Sequence, residues 1–128
     1  MSNIDHSQTS PPVIMIVDAD PHVRNLAGYF LTEAGYKVEY AFDGKEALEK
    51  ARKNPPDAIL LEVIIPKLNG LTLCRLLKTD PATKNIRIVV LSVLTSKNAA
   101  EIVGADAFLS KPLEKIRLVD TFSKVVNL

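Results

Sequence analysis

Four apolar runs in this 128-residue chain stop at residues able to do chemistry. "VIMIV" (Val13 to Val17) gives way to Asp18, Ala19 and Asp20, and "DAILL" gives way to Glu62. "IRIVVL" ends at Ser92, and "AFLS" ends at Lys111. Carboxylates so placed bind hard cations or act as nucleophiles, and a hydroxyl with an ammonium holds an anion. Each residue also has a plainer explanation. Asp18 serves as a loop or capping residue about as often as a ligand. Asp20, followed by Pro21, is a natural helix N-cap. Ser92 can bond local backbone, and Lys111 alone is one lysine among many. Lys67 is expected to be solvated, and His6 and His22 are not expected to do chemistry. The set outweighs its members if the fold brings these ends to one crevice. Glu62 is then the pivotal residue: a reactive carboxylate, the remnant of one, or a polar stop to an apolar run.

The elements that must do the positioning are legible in the patterning. Residues 1–12 are polar and Pro-rich and read as a flexible tail, leaving 13–128 as one domain. Short continuous apolar runs are the mark of strands covered on both faces. Val13 to Val17, "DAILLEV", "IRIVVLS" and "AFLS" fit that description, and "YKVEYA" alternates as a further strand. Between them, Val23, Leu26, Ala27, Phe30, Leu31 and Ala34 recur at helical spacing until Gly35. "DGKEALEKARKN" is a polar helix closed by Pro55 and Pro56, and "NGLTLCRLLKTDP" turns Leu73, Cys74 and Leu77 inward. "SKNAAEIVGA" is a weak helix, and "PLEKIRLVDTFSKVV" is an amphipathic one carrying Ile116, Val119, Phe122 and Val126. Alternating strands and helices predict a parallel sheet covered on both faces, with right-handed crossovers. The site of such a sheet lies beyond the carboxyl ends of its strands, which selects Asp18 to Asp20, Glu62 to Lys67, Ser92 to Thr95 and Ser110 to Pro112.

Composition narrows the function classes. Hydrophobic residues make up 47% and charged ones 24%, as in globular domains, and no apolar run approaches a membrane span. A net charge of +1 leaves no footprint for nucleic acid or an anionic membrane. Cys74 is the only cysteine, which excludes an intramolecular disulfide and a cysteine zinc cluster. A cytoplasmic location is expected, because the polar N-terminus has no apolar signal core.

The ordered series "IMIVDADP", "DAILLEVIIPKLNGL", "IVVLS" and "AFLSKPL" resembles the receiver domain of bacterial response regulators, from Val13 to the C-terminus. The resemblance implies a flavodoxin-like (βα)5 doubly wound parallel sheet with strand order 2-1-3-4-5. Active members take a phosphoryl group from a histidine kinase onto an aspartate ending strand three. An acidic pair after strand one holds Mg²⁺, a Ser or Thr ends strand four, and a Lys precedes Pro after strand five. Here the acceptor position falls on Glu62, and the acidic pair falls on Asp18 and Ala19, so its second carboxylate is missing. Asp20 is offset by one residue. Ser92 and Lys111 match the pattern, and Phe108 matches the aromatic switch position on strand five. Ser92 and Lys111 lie closer in sequence than is usual, which implies a fourth helix shortened by about one turn.

These departures fall where the chemistry is done. Without a carboxylate at residue 19, Asp18 would hold Mg²⁺ weakly at most, and no other cofactor is expected. Glu62 is one methylene longer than Asp, and a misplacement of about 1 Å can cost on the order of a hundredfold in rate. The longer side chain is expected instead to cross the pocket and pair with Lys111. The sequence therefore reads as a non-enzymatic, degenerate receiver: a phosphorylation-independent protein-interaction module. Its expected partner is a signalling or output protein or another receiver domain. The alternative is a receiver still phosphorylated by a kinase or small phosphodonor on Glu62 or Asp18. A flavin-binding domain shares the fold, but "DADPHV" is acidic where a phosphate nest would lie.

Overall fold

The computed structural model describes residues 10–93, 99, 101 and 103–127. Five strands alternate with helices: β1 (Val13–Val17), α1 (Pro21–Glu33), β2 (Lys37–Ala41), α2 (Gly44–Lys53), β3 (Ala58–Leu61), α3 (Gly70–Thr79), β4 (Arg87–Ser92), β5 (Ala107–Ser110) and the last helix, α4 (Lys115–Val126). The strands form one sheet in the order β2-β1-β3-β4-β5, and every neighbouring pair is parallel. This is the expected flavodoxin-like arrangement. Half of the segment 96–105, where a shortened helix is expected, lies outside the described residues, as do Thr95, His6 and most of the N-terminal tail.

Why the strands read as unbroken apolar runs is plain from the two faces of the sheet. Met15, Val17, Ile59, Leu61, Ile88 and Val90 pack beneath α2 and α3, against Ala47, Ala51, Leu73, Cys74 and Leu77. The alternate residues Ile14, Ile16, Leu60, Val89 and Leu91 pack on the other face against Ala27 and Leu31 of α1 and Leu118, Phe122 and Val125 of α4. Successive side chains point to opposite faces, so a strand buried on both needs an apolar residue at every position.

Capping explains where the helices begin and end. Asp20 caps α1 through the His22 N–H, with Pro21 at the first helical position. The helix closes in a Schellman arrangement: Gly35 sits at φ +101°, its N–H bonds the Thr32 carbonyl, and Tyr36 N–H bonds the Leu31 carbonyl. Asp43 caps α2 through the Glu46 N–H, and the Glu46 carboxylate reaches back to the Phe42 N–H. Asn69 caps α3 through the Leu71 N–H.

The last helix corrects the expected apolar face. Its core contacts come from Leu118, Phe122 and Val125, with Val126 partly buried. Ile116 is 82% exposed, and Val119 is only partly covered. The helix carries an apolar arc wider than the sheet can cover, and packing selects the Leu118 side of it.

Candidate functional site

The sheet order reverses between β1 and β3, and that crevice is where the chemistry-bearing residues meet. Val17 and Leu61 are register partners, and the Glu62 N–H donates to the Val17 carbonyl (3.0 Å). Asp18 and Glu62 therefore leave adjacent strand ends side by side, and both are buried. Ser92, also buried, is the register partner of Ser110, and the Lys111 N–H faces the Ser92 carbonyl at 3.4 Å. Lys111 thus enters the crevice from the β5 side, ahead of a cis peptide bond to Pro112.

Its ammonium is held between two acids. Lys111 Nζ lies 2.6 Å from Glu62 Oε1 and 3.3 Å from Asp18 Oδ2. The other oxygen of Glu62 accepts from the backbone N–H groups of Val63 (2.6 Å) and Ile64 (3.2 Å). Oδ1 of Asp18 accepts from the Asp20 N–H (2.9 Å). Every carboxylate oxygen in the crevice is therefore engaged from within the chain. Burial raises the Asp18 pKa above the ordinary aspartate value, more than the Asp20 N–H and the Lys111 charge lower it. Burial of the Lys111 ammonium works against its charge, but the hydrogen bond to Glu62 and the charges of Asp18 and Glu62 prevail and raise its pKa.

The loop carrying Glu62 is fixed by close backbone approach. A Cβ on Gly70 would collide with the Glu62 carbonyl oxygen and lie 2.7 Å from the Val63 Cα. On the other side, a Cβ on Gly44 would strike the Leu68 carbonyl, and the Gly44 N–H bonds the Pro66 carbonyl (3.1 Å). Lys67 adopts φ 72° at the loop's tip, exposed, with Asp43 at 3.6 Å. The glycines let two helix N-termini close on the loop, and so set where the Glu62 carboxylate points.

The remaining expected residues stand apart from the charged cluster. Asp20 is an exposed helix cap turned toward His22, and Ala19 is exposed beside it. Phe108 is half-buried on β5 and packs with Val103 and Ala105 against the core beneath α2 and α3. Sequence reasoning passed over Arg24. Its guanidinium donates to the Asp18 carbonyl (2.8 Å) and lies 4.3 Å from the centre of the Phe42 ring. The available signal was its place in the first turn of α1, where long side chains point back over the preceding strand end. Lys111 contacting Asp18 as well as Glu62 was also unforeseen. Among the described residues, no cluster of three His, Cys, Asp or Glu side chains could hold a metal ion, and no helix is long and apolar enough to cross a membrane.

Comparison with known proteins places this geometry in context. The sequence pattern of the response regulator receiver domain matches residues 14–123. Response regulator PleD of Caulobacter vibrioides is 36% identical over 122 residues, which are 93% of this chain and 26% of PleD. Response regulator MprA of Mycobacterium is 39% identical over 103 residues, 80% of this chain and 45% of MprA. The chain thus spans about a quarter to under a half of these relatives. The chemotaxis response regulator CheY4 of Vibrio cholerae superposes with a TM-score of 0.84 at 32% identity, covering 90% of this chain and 98% of that one.

Proposed function

The chain belongs to the response regulator receiver domain family, and from that premise we propose that it is a degenerate receiver, a cytoplasmic protein-interaction module that signals without phosphorylation. The observation that carries this reading is the saturation of the crevice by its own groups. Lys111 is taken by Glu62 and Asp18, and the Val63 and Ile64 N–H groups are taken by Glu62. These are the cationic and N–H donors that an incoming phosphoryl group would need. An anion arriving here must displace a buried carboxylate from them and meet the repulsion of two acids against one ammonium. Glu62 carries one negative charge where an acyl phosphate carries nearly two, so it stands in for the modified state only in part.

The donor set also does not fit Mg²⁺. Octahedral coordination needs several free oxygens and more than one carboxylate. Residue 19 supplies a methyl group, both Asp18 oxygens and both Glu62 oxygens are engaged, and the Asp18 carbonyl accepts from Arg24. Among the groups at the acceptor pocket, Asp18, Glu62, Ser92 and Lys111 form a charged and polar plug, with Asp20 and Phe108 at its margins. The partner that reads this fixed state is a protein: a signalling or output protein, or another receiver domain.

Treatment with acetyl phosphate and Mg²⁺, read by intact mass, tests the proposal. No stable gain of a phosphoryl group is expected. A gain of one phosphoryl group mapped to Glu62 or Asp18 would instead establish a working receiver that uses an unusual acid.

A further inference from the structure

A second group of polar side chains converges outside the crevice, on the β2 side of α1. Arg24, Asn25, Tyr40 and Phe42 line a concavity of about 200 Å³ there. Nη1 of Arg24 donates to the Asp18 carbonyl at 2.8 Å, and the guanidinium lies over the Phe42 ring, 4.3 Å from its centre. Those two contacts hold the head group in one place, so little side-chain freedom is left to lose on binding. Among the described residues, its Nε and Nη2 N–H groups have no protein partner. They form the side-on edge of the guanidinium fork, the edge that takes a carboxylate through two parallel hydrogen bonds.

The placement of Tyr40 has a cost elsewhere in the chain. Gly28 lies in the interior of α1, where glycine costs about 1 kcal/mol relative to alanine. A Cβ there would collide with the Tyr40 hydroxyl and lie 3.2 Å from its Cζ. The helix gives up a side chain to admit the end of the Tyr40 ring. Tyr40 is half-buried, and its hydroxyl also has no protein partner among the described residues. A partly desolvated polar group is stabilised by gaining one. Phe42, 52% exposed, adds an apolar wall. We propose that this concavity receives an aspartate or glutamate side chain of a protein partner. The Arg24 edge takes the carboxylate, the Tyr40 hydroxyl and the Asn25 amide supply further donors, and Phe42 covers the methylene stem. One cation, with Asp18 and Asp20 at the start of the same helix, favours a monoanion over a phosphate dianion. The volume suits one side chain, since pockets for drug-sized ligands begin at about 300 Å³. The inference rests on the protein-interaction role proposed above and names the chemistry of one contact within it.

Titration of the isotope-labelled full chain with the capped peptide acetyl-Gly-Glu-Gly-amide, followed by NMR at low salt, tests it. The Arg24 Nε–H resonance and the Asn25 and Phe42 amides should shift saturably, with a Kd in the millimolar range. The uncharged acetyl-Gly-Gln-Gly-amide should bind about tenfold more weakly or less. Arg24→Lys keeps the charge but removes the fork, and should lose about tenfold in affinity for the Glu peptide. Tyr40→Phe should lose about fivefold, with the circular dichroism of both variants unchanged. Equal shifts from the Glu and Gln peptides would overturn the proposal, as would an affinity for the Glu peptide that neither substitution alters. Sodium acetate binding as tightly as the Glu peptide would also contradict it, because the site would then take a free monocarboxylate. A phosphoryl gain from acetyl phosphate would overturn the degenerate reading of the crevice without moving this titration, so the two failures are distinct.

Discussion

Two partly buried clusters in this protein are built from the same materials and differ in kind. At the amino ends of the strands, Lys78 of α3 pairs with Asp106 at 2.8 Å and also donates to the Ile86 carbonyl at 2.7 Å. Asp106 accepts from the Ile88 N–H at 2.8 Å, and Arg87 approaches it at 3.7 Å. That cluster has two cations for one acid, and each group is shared with a different element: α3, β4 and the approach to β5. At the carboxyl ends, Lys111 serves two acids, and their remaining oxygens turn to backbone N–H groups. The first cluster is a staple across elements that need joining. The second fills a crevice that the topology creates whether or not anything occupies it. Lysine and carboxylate pairing does not by itself mark a functional site; the position of the pair in the fold does.

Substitutions at the two lysines sharpen that contrast. Lys111→Met leaves Asp18 and Glu62 side by side, buried and without a cation, and should cost about 3 to 5 kcal/mol of stability in urea unfolding. Lys78→Met should cost less, about 1 to 3 kcal/mol, because Asp106 keeps Arg87 and the Ile88 N–H. It should also leave the acceptor pocket untouched, with the Ser92 and Ile64 amide resonances unmoved. Equal losses at both sites would erase the distinction between the two clusters.

The pH dependence of stability should probe the crevice cluster in two windows. Lys111 has its folded-state pKa raised above the ordinary lysine value of 10.5, so its contribution is complete below that pH and is lost as pH rises through the higher folded value. Alkaline destabilisation should therefore be visible above about pH 10.5 and be reduced in Lys111→Met. Asp18 shifts stability in the same direction but in an acidic window. Its raised pKa means that the native state holds its proton more tightly, so stability declines as pH rises from the ordinary aspartate value through the folded one. Asp18→Asn should remove that decline and change stability at pH 7 by about 1 kcal/mol or less, since the lost Lys111 contact offsets the relieved burial. At the rim, Asp20→Ala should cost about 1 kcal/mol through the lost α1 cap, without altering the pH profile of Lys111.

How much of the fold and the crevice is legible in the sequence depends on the kind of signal. Strands such as Val13–Val17 and Arg87–Ser92 declared themselves because burial on both faces demands apolar residues throughout. Asp20–Pro21 and Gly35 marked the ends of α1 because capping chemistry is local. Glu62 was legible as an anomaly at a strand end, and its reach to Lys111 followed from fold and side-chain length together. The orientation of α4 was not legible, since Ile116 and Leu118 are equally apolar and only the sheet chooses between them. Arg24 on the Asp18 carbonyl and Gly70 against the Glu62 carbonyl are approaches of side chain or Cα to backbone, and no hydrophobic period encodes those.

The central claim is that Glu62 and Lys111 form a constitutive pair that occupies the acceptor pocket in place of a phosphoryl group. A double-mutant cycle on unfolding free energy, comparing wild type, Lys111→Met, Glu62→Gln and the double variant, tests it most directly. Each single change should destabilise the chain, and the double variant should recover part of the summed loss, with a coupling of about 1 to 3 kcal/mol. Losses that simply add would contradict the account, because the two groups would then hold nothing in common.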